Sequence, residues 1–70
     1  MNKILFKQKM IENGDTQTIL ANAMGIPQSA LSARINGKID FRQTEMDFIR
    51  KRYRLSGQDT VDIFFEERVS

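Results

Sequence analysis

The chain has 70 residues with a formal net charge of +2, and 40% of its residues are hydrophobic. This length allows one small core and a single domain, residues 1–70, whose core supplies about 3 to 5 kcal/mol of stability. Because the sequence contains neither cysteine nor histidine, it lacks disulfides, thiolate metal ligands and the commonest general base, and we expect no enzyme, metal or cofactor.

Lysines alternate with apolar residues at the start of the chain, and their spacing predicts a first helix over residues 3–13. Phe6 and Met10 are one turn apart in it, and Ile4 and Ile11 are two turns apart. The segment has no apolar run long enough for a secretory signal or a membrane span. We therefore expect a cytoplasmic protein with no membrane partner.

A helix stop and a helix start follow directly. Asn13 and Gly14 tolerate the left-handed conformation that ends a helix. Asp15 or Thr16 can then accept a hydrogen bond from the first free amides of a second helix, predicted over residues 17–24. The residues predicted to face inward from this helix are Leu20, Ala21 and Met24.

A tight turn separates the second helix from a third. Gly25 ends the second helix, and Ile26 anchors the turn in the core. Pro27 has the backbone angle that opens a helix, which is predicted over residues 28–35. The inward residues of the third helix are Leu31 and Ile35, and its outer face carries Gln28, Ser29, Ser32 and Ala33.

Residues 16–37 thus have the pattern of a helix-turn-helix, whose second helix enters the major groove of DNA. Glutamine can bond adenine at two positions, and serine can donate to or accept from several base edges. The basic excess lies in the same half: residues 1–38 carry five basic and two acidic side chains, and residues 39–70 carry six and seven. The pattern predicts double-stranded DNA as the partner.

A fourth helix is predicted over residues 42–54, with its apolar members, Phe48 among them, in the core. It ends in a basic cluster, which we interpret as a solvated or dipole-compensating face in preference to a nucleic-acid patch. The members of this cluster are Arg50, Lys51, Arg52 and Arg54.

A fifth helix, through Phe65, is predicted from a capping box with Ser56 three residues before Asp59. Phe64 and Phe65 cannot both point into one seam, because successive residues are about 100° apart around a helix. Two interpretations stay open: both rings fill the core, or one remains available to a partner or a second copy of the chain. Residues 66–70 are expected to fray.

The helix-turn-helix segment resembles the Cro and repressor proteins of temperate phages, within the larger Xre-like group. The resemblance is carried by Gln17, Leu20, Ala21, Met24, Gly25, Gln28, Ser29, Leu31, Asn36 and Gly37, with Gly14 just ahead and Lys38 just behind. It implies a lambda-repressor-like bundle of about five short helices. It also implies an operator-binding transcriptional regulator, a repressor of the lysis-lysogeny switch in the cytoplasm of a bacterial host.

The resemblance also implies a role for each matching residue. Gln28 and Ser29 would contact base edges, while Ser32 and Ala33 would lie along the groove. Gln17 would hold a phosphate and brace Gln28. The family often has a longer polar residue at position 33, so methyl contact with thymine is the role expected for Ala33. The other residues implied to contact the DNA backbone are Asn36, Lys38 and Arg42.

Two classes of function remain open. The first is a sequence-specific DNA-binding regulator, acting as a dimer. The second is a modulator or antirepressor that binds another regulator such as a phage repressor, and the low net charge, Ala33 and the pair Phe64 and Phe65 favour it. The structural alternative is a helical bundle whose glycines only end helices and whose polar residues are merely solvated. Catalysis is not expected, because the carboxylates show no paired-acid spacing.

Overall fold

Five helices make up most of residues 1–65, the part of the chain that the computed structural model describes. They are α1 (Lys3–Glu12), α2 (Gln17–Met24), α3 (Gln28–Ile35), α4 (Gln43–Tyr53) and α5 (Gly57–Phe64). The all-α class and the helix order predicted from the sequence are confirmed. Asn13, Arg42 and Arg54, expected at the ends of helices, are the flanking residues of α1 and α4 instead. The fraying expected for residues 66–70 lies outside the described residues.

Three helices begin with a side chain that accepts a hydrogen bond from an amide three residues further on. Asn2 does so for α1 at 3.0 Å, Thr16 for α2 at 3.1 Å and Ser56 for α5 at 3.0 Å. The Asp59 carboxylate accepts from the Ser56 amide at 3.3 Å, which confirms the predicted capping box. Of the two candidates at the start of α2, Thr16 is therefore the cap, and Asp15 is free for another role.

Four helices end in the same hydrogen-bonded turn. After α2, Gly25 has a φ of +73°, its amide donates to the Asn22 carbonyl, and the Ile26 amide donates to the Ala21 carbonyl at 3.1 Å. This Schellman pattern needs a left-handed residue, which glycine adopts without a steric penalty. α1, α3 and α4 end likewise at Gly14, Gly37 and Arg54. The glycines therefore set where the first three helices stop.

The core surrounds Phe6, which is fully buried. The rings of Phe41, Tyr53 and Phe64 lie 5.8 to 6.5 Å from the Phe6 ring, centroid to centroid. The buried hydrophobic residues are Phe6, Met10, Leu20, Ala21, Leu31, Ile35, Ile49, Tyr53, Leu55 and Ile63. All five helices thus contribute to one core, and the inward residues predicted for α2 and α3 are confirmed, with Met24 packed at its margin.

Several large apolar side chains of residues 1–65 lie at the surface, among them Phe48, Ile4 and Ile11. Phe48 is 37% exposed, so its expected place in the core is wrong; Ile49 and Tyr53 occupy the inward side of α4 and turn Phe48 outward. On α1, Phe6 and Met10 face inward, which leaves Ile4 and Ile11 on the opposite side, 81% and 77% exposed.

Candidate nucleic-acid interface

The turn between α2 and α3 fixes how the two helices pack. Leu20 and Ala21 of α2 and Leu31 and Ile35 of α3 are all buried in the core. The small Ala21 side chain suits a close crossing of the two helices. Because these residues occupy the inner sides of both helices, the opposite side of α3 is left toward solvent.

That outer side of α3 brings together the four residues predicted to contact bases. Gln28 and Ser29 are exposed, and Ser32 and Ala33, one turn further on, are half-buried. Pro27 precedes the helix, and no side-chain hydrogen bond caps the helix at this end. The exposed end of α3 is thus its N-terminal turn, which carries the longest side chain of the four, Gln28.

The residues predicted to contact the DNA backbone occupy three different elements. Asn36 and Lys38 follow α3 and are exposed, and Arg42 is exposed just before α4. Gln17 is half-buried at the first residue of α2. The hydrogen bonds of residues 1–65 include none between Gln17 and Gln28, so the expected bracing bond is not formed in the free protein.

The cations of residues 1–65 divide into two groups. Lys9, Arg34, Arg50 and Arg52 each lie within 4.0 Å of a carboxylate oxygen. The remaining basic side chains in this part of the chain, which form no such pair, are Lys3, Lys7, Lys38, Arg42, Lys51 and Arg54. Both cations predicted to bind phosphate, Lys38 and Arg42, therefore keep their charge uncompensated by a contacting carboxylate.

A semi-buried ion pair joins α3 to the start of α4. Arg34 donates from Nε to Glu45 Oε1 at 3.0 Å and from Nη1 to the Ala30 carbonyl at 3.0 Å. The same Glu45 oxygen accepts from the Arg42 amide at 2.8 Å. Burial raises the pKa of Glu45, but these contacts with Arg42 and Arg34 outweigh it and hold the pKa below its ordinary value. Glu45 thus fixes Arg42 relative to α3.

A second ion pair holds the loop that leads into α2. The Asp15 carboxylate is buried and accepts from Arg52 and from the Tyr53 hydroxyl, the latter at 2.6 Å. The hydrogen bond from Arg52 is the largest influence on the pKa of Asp15 and lowers it. Burial raises this pKa, and the hydrogen bond from Tyr53 lowers it further, so that the pKa lies below its ordinary value. Arg52 therefore tethers α4 to the loop before α2, so this member of the basic cluster is ion-paired as well as 33% exposed.

Sequence reasoning also missed Lys3. Its Nζ lies 3.4 Å from Asn36 Oδ1, and Asn36 Nδ2 donates to Ser32 Oγ at 3.3 Å. The contact joins α1 to the end of α3 across 33 residues. No local pattern signals it, because Lys3 is one of several lysines in α1 with similar neighbours.

The two adjacent phenylalanines at the end of α5 have different surroundings. The Phe64 ring packs against the rings of Phe41 and Phe6, whereas Phe65 is 54% exposed. A groove of about 320 Å³ lies beside them, lined mainly by apolar side chains that include Met1 and Met46. The interpretation that both rings fill the core is therefore wrong, because Phe65 stays exposed; a contact of Phe65 with a partner remains a prediction.

Residues 1–65 hold no group of three or more acidic side chains that could bind a metal ion. No helix in this part of the chain is long and apolar enough to cross a membrane. Comparison with protein-family models, with curated proteins and with solved structures found no match to the chain. The functional assignment therefore depends on the shape and charge of the α2 and α3 surface.

Proposed function

We propose that the protein is a sequence-specific DNA-binding transcriptional regulator, a Cro-like repressor that binds operator DNA through the major groove. One observation carries the proposal. The solvent side of α3 presents Gln28 and Ser29, and the cations Lys38 and Arg42 beyond its end contact no carboxylate of residues 1–65. A polar helix face for base edges and free cations for phosphates are the two parts that such a reader requires.

Base recognition in this proposal begins at the first turn of α3. Gln28 is exposed and long enough to bond an adenine through both amide atoms, and Ser29 is exposed beside it. Ser32 and Ala33 are half-buried and offer a short hydroxyl and a methyl group along the groove. With so few direct contacts, we expect modest discrimination between sequences.

Backbone contacts orient the reading helix. In the proposal, Gln17, Asn36, Lys38 and Arg42 contact phosphates on either side of the groove. These contacts carry no base information but set the register of α3 on the duplex. The Arg34 and Glu45 pair supports the arrangement, because it ties α3 to the residue that precedes α4.

Repression would act through occlusion by a dimer. Two copies of α3, placed in successive major grooves, would cover an operator and block polymerase. Phe65, exposed beside an apolar groove, suits a symmetric contact between copies at the end of α5. The half-buried Phe64 would support this contact from within the core.

A second candidate function is a modulator or antirepressor that binds another regulator protein. The exposed Phe65 and its groove favour it, since an apolar patch of this kind is suited to a protein partner. The net charge of +2 is also low for a DNA-binding protein. The two functions can coexist, because the residues that line the groove include none of the four residues predicted to contact bases.

The experiment that tests the proposal is a titration of the purified protein with two duplexes at two salt concentrations. One duplex is the intergenic DNA upstream of the protein's own coding sequence, and the other is a scrambled version of it. Tighter, salt-sensitive binding to the upstream duplex is the expected result. Weak binding that is equal for both duplexes, from a folded sample, would contradict DNA reading and favour the second candidate.

A further inference from the structure

Lys3 lies outside the helix-turn-helix, yet its ammonium group reaches the residues that follow α3. Its Nζ is 3.4 Å from Asn36 Oδ1, and Asn36 in turn contacts Ser32. Both neighbours belong to the surface that we assign to DNA. The first turn of α1 therefore borders the proposed interface.

The start of α1 is held in place from two sides. The Asn2 amide donates to the Ile63 carbonyl of α5 at 2.7 Å, and the Asn2 side chain accepts from the Leu5 amide at 3.0 Å. Phe6, within the first turns of the helix, is fully buried. Because the backbone under Lys3 is fixed, ordering its side chain on a ligand costs less entropy than ordering a lysine on a free arm.

The partner that Lys3 has in the free protein is easily exchanged. Asn36 is neutral, the bond is exposed and long, and no carboxylate within residues 1–65 pairs with Lys3. A hydrogen bond between an ammonium group and an anionic phosphate is stronger than one to a neutral amide. Asn36 Nδ2 carries a second N–H group beyond the one given to Ser32, so the pair can present an ammonium and an amide donor together.

We propose that Lys3 is a phosphate-binding residue of the DNA interface, which extends the interface from the helix-turn-helix onto α1. The inference rests on the proposed function and names a residue outside the motif. Lys3 and Asn36 bind one phosphate group near the C-terminal end of α3. A contact there, opposite the Gln28 end, limits how far α3 can tilt in the groove.

The test compares Lys3→Ala with Lys51→Ala. Both variants remove one positive charge from an exposed lysine that makes no ion pair within residues 1–65. Lys51 lies near the far end of α4, about 14 Å along the helix from Arg42, at 1.5 Å per residue. Affinity for a mixed-sequence duplex is measured by fluorescence anisotropy across a series of salt concentrations, and circular dichroism confirms that each variant is folded.

Lys3→Ala should weaken binding. It should also reduce the slope of a plot of log affinity against log salt concentration by about one. Lys3→Arg should restore the slope, and Lys51→Ala should keep the wild-type slope. If the wild type prefers its upstream duplex but Lys3→Ala keeps the wild-type slope, the role of Lys3 is overturned and the proposed function stands. An equal reduction of the slope in Lys3→Ala and Lys51→Ala would also overturn the role of Lys3, because it would show a general effect of net charge. A wild type that binds no duplex would overturn both.

Discussion

Arg52 donates two parallel hydrogen bonds to Asp15, from Nε to Oδ2 at 2.8 Å and from Nη2 to Oδ1 at 2.9 Å. The pair joins the last turn of α4 to the loop between α1 and α2, across 37 residues. Two-pronged pairing of this kind fixes orientation as well as distance. It therefore sets where α2 begins, and with it the position of Gln17 beside the proposed reading helix.

Loss of this pair should destabilise the fold. Arg52→Ala leaves the 5% exposed Asp15 carboxylate with Tyr53 as its remaining partner, and we expect a cost of about 3 kcal/mol. Asp15→Asn should cost less, about 2 kcal/mol, because Arg52 is a third exposed and can be hydrated. Urea unfolding followed by circular dichroism gives both values.

The control for this prediction is Arg50→Ala, which breaks an exposed ion pair between Arg50 Nε and Asp47 Oδ1 at 3.9 Å. Equal losses of unfolding free energy in Arg50→Ala and Arg52→Ala would contradict the role of Arg52 as a tether.

Stability should fall in acid and be nearly constant around neutral pH. The pKa values of Asp15 and Glu45 lie below their ordinary 3.8 and 4.5 in the folded protein. The two carboxylates therefore make their full contribution to the free energy of unfolding when the pH is above their pKa values in the unfolded chain. They lose it as the pH falls through their lower pKa values in the folded protein. The absence of histidine leaves little to titrate between about pH 5 and pH 7. Unfolding free energies measured from pH 7 to pH 3 should show this fall, and the fall should be smaller in Asp15→Asn; an unchanged acid limb in that variant would count against the assignment.

Tyr53 predicts a second loss of stability at alkaline pH. Burial and the Asp15 carboxylate raise the pKa of its hydroxyl above the ordinary 10.0. Because the folded state favours the protonated hydroxyl, the Tyr53 hydroxyl makes its full contribution to the free energy of unfolding below pH 10. That contribution declines as the pH rises above 10. Tyr53→Phe should remove this alkaline decline in urea unfolding. A decline of the same size in Tyr53→Phe would point to another group.

Arg54 offers a stabilising substitution. It ends α4 with a φ of +53°, a conformation that costs a residue with a Cβ atom about 1 kcal/mol or more. Arg54→Gly removes this strain, but glycine loses more conformational entropy on folding than arginine does. The net gain in the free energy of unfolding should therefore be about 0.5 kcal/mol. Arg54→Ala removes the same charge but keeps the strain. Thermal unfolding should rank Arg54→Gly above wild type, and an equal gain in Arg54→Ala would show that charge, not conformation, is responsible.

The helix bounds could be predicted because their causes are local. The Asn13 and Gly14 pair, Gly25 and the Ser56 cap act within a few residues of themselves, and each has the expected role. The outer and inner sides of α3 follow equally from its period. These features place the candidate base-contacting residues on one exposed surface without any knowledge of the other helices.

The missed features depend on contacts between distant segments. Asp15 was an equally good helix cap by sequence, and only the approach of α4 makes it the partner of Arg52. The contact of Lys3 with Asn36 requires the packing of α1 beside α3. Phe48 has the spacing of a core residue, but its neighbours on α4 already occupy the inward side. Local periodicity does not distinguish such cases.

Phe65 should control self-association without affecting the fold. Phe65→Ser removes the exposed ring beside the groove. Val61→Ser removes a similarly exposed apolar side chain from α5, 49% exposed against 54% for Phe65. Analytical ultracentrifugation, with and without the upstream duplex, should show that Phe65→Ser shifts the protein toward monomer and that Val61→Ser does not. Unchanged association in Phe65→Ser would place the dimer contact elsewhere.

The central claim, that the outer face of α3 reads bases, is tested most directly by the effect of Gln28→Ala on sequence discrimination. The quantity to measure is the ratio of affinities for the upstream duplex and its scrambled version, with exposed Gln8→Ala as the control. Gln28→Ala should weaken specific binding by about 1 to 3 kcal/mol and leave binding to the scrambled duplex unchanged. Lys38→Ala, a phosphate contact, should weaken both. An equal loss on both duplexes for Gln28→Ala would contradict base reading by α3.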